Sequence, residues 1–246
     1  MSPLAWTLST VLVAYLVVVE PLWGRQEYRR VQARSPTDER TLLRLYRLTV
    51  GVEWAWVAYL GFIVVVTDVS TTRLLTPPPG LTLPEGMDGI ATGLIGGLAA
   101  GLAVGAIASR RKTAGYRSRI DRDLDAMVPR TQRERRWFVA VALTAGVCEE
   151  LVLRGFLLFF LADLLPQANW IALVALAAAV FGLAHLYQGA AGVASTFALG
   201  LAFGTVYLAT GSLLPGMVLH ALLDLRLLLD PRASGTPRTI GDITEQ

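Results

Sequence analysis

Charge is scarce in this chain, and histidine and cysteine are scarcer. Only 17% of its 246 residues are Asp, Glu, Lys or Arg, against 54% hydrophobic, which argues against an ordinary water-soluble domain and for a membrane protein. The single cysteine, Cys148, excludes an internal disulfide and reads as a small buried filler within an apolar segment. There is no HExxH stretch, so the common zinc-protease helix is missing, and neither Ser195 nor Ser212 sits in a GxSxG context. No cysteine stands near a histidine as a thiol nucleophile would. The first apolar run has no basic residue ahead of it, and Glu20-Pro21-Leu22-Trp23 does not resemble a small-residue cleavage site. That run is therefore expected to remain as a span and not to leave as a signal peptide.

What the chain has in abundance is apolar runs of bilayer length, which takes about 20 helical residues. They cover Leu4 to Trp23, Val50 to Val69, Ile90 to Ala108, Trp137 to Phe160, Trp170 to Tyr187, Ala190 to Ala209 and Leu213 to Leu229. The expected fold is all-α, a polytopic membrane bundle of seven helices, or eight if the region from Trp137 to Leu165 breaks near its glutamates. Three segments follow: 1–136 with three spans and two Arg-rich loops, 137–229 as a polar-bearing core, and 230–246 as a polar tail.

The basic residues are unevenly spread. Of 22 Lys and Arg, seven lie in Arg25 to Arg47 and ten in Arg110 to Arg136, which places both loops in the cytoplasm, against anionic lipid headgroups, and the N-terminus outside. The expected location is the cell membrane, with several passes. No aromatic-interleaved basic patch is present, so nucleic acid is not an expected partner. Gly93, Gly97, Gly101 and Gly105 recur every four residues, and Gly200 and Gly204 repeat the spacing. Such small-residue faces let helices approach closely, within the bundle or, as the alternative, in a dimer.

Between Trp137 and Leu229 the only charged residues are Glu149, Glu150, Arg154, Asp163, Asp224 and Arg226, and the only histidines of the chain, His185 and His220, fall there too. A charge at mid-bilayer costs at least a few kcal/mol, so these groups must face protein or a wet cavity. Asp163 and Arg226 lie near span ends and reach headgroups. Glu150 and Arg154, four apart, share a helix face, while Glu149 points about 100° away. Phe181 and His185 are four apart, as are His220 and Asp224, which gives the second histidine a possible carboxylate partner. Glu150 with Arg154 reads as a structural ion pair. The remaining kit, Glu149 with two histidines and Asp224, suits an activated water that hydrolyses an amide.

These residues stand in three motifs, "EELVLR" (Glu149 to Arg154), "FGLAH" (Phe181 to His185) and "HALLD" (His220 to Asp224). In that order they resemble the EExxxR, FxxxH and HxxxN/D signature of the CPBP intramembrane proteases, which include the type II CAAX prenyl endopeptidases and the Abi-type proteins. The resemblance covers roughly Trp137 to Leu229. It implies a CAAX prenyl protease 2-like endopeptidase acting on a peptide or membrane-protein tail, with Glu149 as general base, His185 holding the water, and His220 with Asp224 at the oxyanion. Glu150, Arg154 and Phe181 are implied as supports. The family is often labelled metalloprotease, and Glu149, His185 and His220 are the three residues that would ligate a zinc ion if one is used; they also suffice for a metal-free, glutamate-activated water. Asp224 stands where many relatives have Asn; an ionised carboxylate cannot donate to an oxyanion, so Asp224 is expected either to orient His220 or to stay protonated in its low-dielectric setting. A non-catalytic scaffold or peptide-immunity protein of the same fold, and a small transporter, are the alternative readings.

Overall fold

The computed structural model describes residues 1–33, 38–81, 83–84, 88–111 and 125–229, and among these every regular element is helical. Eight helices are arranged as α1 (Pro3–Gln32), α2 (Glu39–Val66), the short α3 (Thr71–Leu75), α4 (Asp88–Arg111), α5 (residues 132–164), α6 (Trp170–Ala184), α7 (Gly189–Thr210) and α8 (Leu214–Leu225). The principal contacts are α6 with α7, α2 with α5, and α5 with α8. The polar tail 230–246 lies outside the described residues.

Three helices are long and apolar enough to cross a membrane by length and composition: α1, α2 and the segment Leu186–Thr210 that contains α7. Among the described residues the other helices are shorter or carry charge, while the all-α bundle expected from the sequence is what forms. Helix α6 and the described core of α4, Gly89–Gly105, are apolar but shorter, and α8 has 12 residues, about 18 Å of rise. Helix α5 has the length but carries Glu149, Glu150 and Arg154 at its middle. No break divides α5 there. The ladder widens instead into a π segment at Leu151–Phe156 and resumes as α-helix at Leu157.

Large apolar side chains face outward along several helices while some charges are buried within. Val11 and Leu22 on α1, Phe62 and Val65 on α2, Ile171 on α6 and Val218 on α8 are all exposed, whereas Glu53, Glu150 and Arg154 are buried. A water-soluble protein distributes these groups the other way, and an exposed apolar belt of this extent matches hydrocarbon.

One end of the bundle is tied by the N-terminus. The backbone N–H of Ser2 donates to both carboxylate oxygens of Asp68 at 3.1 Å, and the Met1 ammonium lies 3.6 Å from Asp163. The start of α1, the end of α2 and the end of α5 therefore share an end of the bundle. At the opposite end Thr131 donates to Glu39 at 2.6 Å, and the Tyr28 and Tyr187 rings meet at 5.4 Å. The first Arg-rich region is mostly helix, not loop: Arg25, Arg29 and Arg30 lie on α1, and Arg40, Arg44 and Arg47 on α2. Arginine is a good helix former, so charge density alone does not interrupt a helix. Of the second region, 112–124 lies outside the described residues, and Arg133, Arg135 and Arg136 occupy the first turns of α5 behind a Thr131–Glu134 capping box.

Glycine sets the tightest contacts, though not everywhere its spacing promised. A Cβ on Gly200 would stand 2.8 Å from that of Ala178, and one on Gly204 2.8 Å from Val174, so α6 and α7 touch along that face. By contrast, nothing described lies within 4 Å of a Cβ at Gly93, Gly97 or Gly101; the four-residue stripe on α4 is not the close-packing face that was expected. On α5 a Cβ at Gly155 would fall 2.2 Å from the Leu74 carbonyl oxygen, and one at Gly146 2.8 Å from that of Met217. Gly155→Val should therefore destabilise the fold by about 1–3 kcal/mol or more through overpacking against backbone, with Gly97→Ala neutral; thermal unfolding of both in detergent checks this.

Candidate active site

Helix α5 delivers two adjacent carboxylates to different surroundings. Glu150 points at α8, where Gly216 leaves the space: a Cβ there would sit 2.9 Å from Glu150 Oε2. Glu150 Oε1 lies 3.0 Å from Arg154 Nη1 and 3.0 Å from His220 Nδ1. A carboxylate accepts, so Nδ1 is the donating nitrogen. The Arg154 contact is one of charge, without hydrogen-bond alignment at either terminal nitrogen. Its guanidinium is instead stacked between rings, 4.4 Å from the centroid of Phe181 and 5.4 Å from that of Phe203.

With Nδ1 committed, the His220 ring turns Nε2 toward two other carboxylates, Glu149 Oε2 at 3.8 Å and Asp224 Oδ2 at 3.9 Å. The close carboxylate partner of His220 is thus Glu150, from another helix, and Asp224, one turn along α8, is the more distant one. Aromatic rings fix the imidazole plane: Phe203 stacks on it at 5.6 Å and Phe181 meets it edge-on at 5.8 Å. Glu149 Oε2 is buried and has no hydrogen-bond partner.

His185 closes α6. Its Nδ1 donates to the Phe181 carbonyl at 2.9 Å, four residues back, which leaves Nε2 as the unused nitrogen. The Phe181 ring packs on it at 4.8 Å. The helix gives way to a 3-10 turn, Leu186–Gln188, and then to Gly189 at φ 71°, a left-handed conformation that suits glycine.

Glu149, His185 and Asp224 line one cavity of about 200 Å³, room for on the order of ten waters. Two further carboxylates line it that the motifs do not contain, Glu20 from α1 and Glu53 from α2. Both stood in plain view, Glu20 as the one acid of the apolar run Leu4 to Trp23 and Glu53 inside the run Val50 to Val69, and the cost of burying a charge applies to them equally. Glu20 follows a second π segment, Tyr15–Val19, where Pro21 has no N–H to give Val17 and its ring crowds that carbonyl.

The family model described as Type II CAAX prenyl endopeptidase Rce1-like matches residues 132–226. The chain carries an Rce1-like domain. The match runs from the first turn of α5 to just past α8 and so contains all three motif helices, while α1 and α2 lie outside it. At family level the similarity is to a CAAX-type protease, and it is confined to residues 132–226. No curated protein and no solved structure matches the chain.

Of the three residues implied as zinc ligands, His185 and His220 each have Nδ1 engaged, which leaves Nε2 as the nitrogen that would take a metal ion. Among the described residues no group of three His, Cys, Asp or Glu side chains stands close enough to hold one.

The Glu150 contacts yield a stability prediction. Arg154→Leu strands Glu150 in a buried position and should cost about 3–5 kcal/mol, whereas Glu150→Gln with Arg154→Leu should cost less than the sum of the single changes. Unfolding midpoints in detergent for the two single variants and the double variant check this.

Proposed function

We propose that this protein is a multi-pass cell-membrane endopeptidase that hydrolyses a peptide bond of a membrane-associated peptide or protein tail. The observation that carries the reading is the arrangement around Glu149: an unpartnered carboxylate oxygen, 3.8 Å from a histidine held by a different carboxylate, facing a cavity shared with a second histidine.

In this reading the cavity holds a water between Glu149 and the free Nε2 of His185. Glu149 takes a proton from the water as its oxygen attacks the carbonyl carbon, and the carbonyl electrons move onto oxygen. A proton on His220 Nε2 makes that nitrogen the donor to the oxyanion, with Nδ1 locked on Glu150 so that the ring cannot turn away. When the C–N bond breaks, Glu149 returns its proton to the leaving amine. Asp224 limits the swing of Nε2 from the other side. Arg154 and Phe181 do no chemistry; they hold Glu150 and the two imidazoles in place.

No step of this scheme passes through a metal. Enzyme freed of divalent metal, verified by elemental analysis, should retain its turnover; loss that zinc restores would replace this water-activation scheme with a metal-bound one.

Membrane-anchored peptide libraries offered to purified protein provide the direct measurement. Glu149→Gln and His185→Ala should each lower kcat by roughly 10²–10⁴-fold, the usual scale of general acid–base catalysis, without lowering the unfolding midpoint. Turnover equal to wild type in both variants would sink the mechanism.

A further inference from the structure

The part of the cavity wall supplied by α1 and α2 carries two acids, Glu20 and Glu53, and nothing in the proposed hydrolysis uses them. Glu53 on α2 is only 4% exposed, and its Oε2 has no hydrogen-bond partner. The ionisable groups acting on it are further acids, Glu149, Asp224 and Glu20. Glu20 shares the wall and accepts one hydrogen bond, from the Tyr15 hydroxyl at 3.0 Å. Among the described residues Arg226 is the only Lys or Arg that lines the cavity, and it stands two residues from Asp224 on the motif side.

A carboxylate in apolar surroundings without a donor or a cation is costly. The same wall also presents the indoles of Trp23 and Trp56, and aromatic faces attract ammonium and guanidinium groups. Acids and indoles around one small space are complementary to an organic cation on a narrow aliphatic stem. A neutral or acidic side chain would leave Glu53 unpaired and further dehydrated, so the wall selects by rejection as well as by attraction.

Resting on the peptidase reading, we infer that the Glu53–Glu20 wall receives a basic side chain, arginine or lysine, of the peptide whose backbone lies at Glu149. The site is a specificity pocket for positive charge, supplied by helices outside the family match.

The test has a binding arm and a cleavage arm, both on the full chain in detergent micelles. Calorimetric titration with n-butylguanidinium and with its neutral isostere n-butylurea should show the cation binding at least about tenfold tighter, the scale of one charge-assisted hydrogen bond. That advantage should vanish in Glu53→Gln; Glu20→Gln, a less buried position, serves if the first variant folds poorly. In the cleavage arm, peptides paired as arginine against citrulline should show higher kcat/KM for arginine in wild type and parity in the variant. Equal binding of the two probes, or an advantage that survives both substitutions, overturns the cation site. Cleavage without an arginine preference overturns the inference and leaves the peptidase reading standing. Glu53-dependent cation binding with no cleavage of any peptide keeps the site and removes the peptidase reading.

Discussion

A guanidinium inside an apolar bundle must be neutralised where it stands, and the position of Glu150 follows from that. Arg154 is 2% exposed and has one carboxylate within 3.0 Å; the rest of its surface is met by the rings of Phe181 and Phe203. Glu150 has a second oxygen lone pair to share, and His220 takes it. Through that one carboxylate the charge on α5 fixes a ring on α8. Phe181, which covers the guanidinium, also packs on His185 and supplies the carbonyl that binds its Nδ1. Both imidazoles are thus positioned by the groups that stabilise the arginine. The ion pair contributes little by itself, since desolvation offsets much of its attraction; its consequence is geometric.

That geometry needs backbones closer than ordinary side chains permit. Gly216 makes room for Glu150, Gly146 lets α5 and α8 meet, and Gly155 admits the Leu74 carbonyl against the π segment. The π segment begins at the residue after Glu150, and π segments recur where a helix must re-aim side chains. A regular helix would carry Arg154 and the residues beyond it round by a different angle. The widened ladder lets α5 stay continuous through a cluster of charges, where a break was the alternative to a single span.

Much of the motif half was legible because helix spacing is local. Four-residue intervals put Glu150 beside Arg154 and Phe181 beside His185, and the 100° step separated Glu149 from its neighbour. What spacing does not carry is the partner across the bundle. His220 and Asp224 share a helix face, yet the closest carboxylate to His220 comes from α5, because the shortest approach depends on how α5 and α8 cross. The glycine stripe on α4 shows the same limit: periodicity establishes a smooth face, not that anything rests on it. Glu20 and Glu53 went unread for another reason. Each belongs to no motif, and only the fold brings them to Glu149.

The functional unit is consequently larger than the segment the family model matches. Residues 132–226 contain the groups proposed to react, but α1 and α2 contribute Glu20 and Glu53 to the same cavity. A carboxylate open to hydrocarbon could hold no ordered water, since lipid offers no hydrogen bonds to keep one there. Helix α2 packs along α5, and among the residues it brings to the cavity, Leu45, Thr49, Glu53 and Trp56, one is itself an acid. The wall that closes the site therefore adds charge to it, which packing alone does not require. A chain that needed only a lid would have placed leucine there.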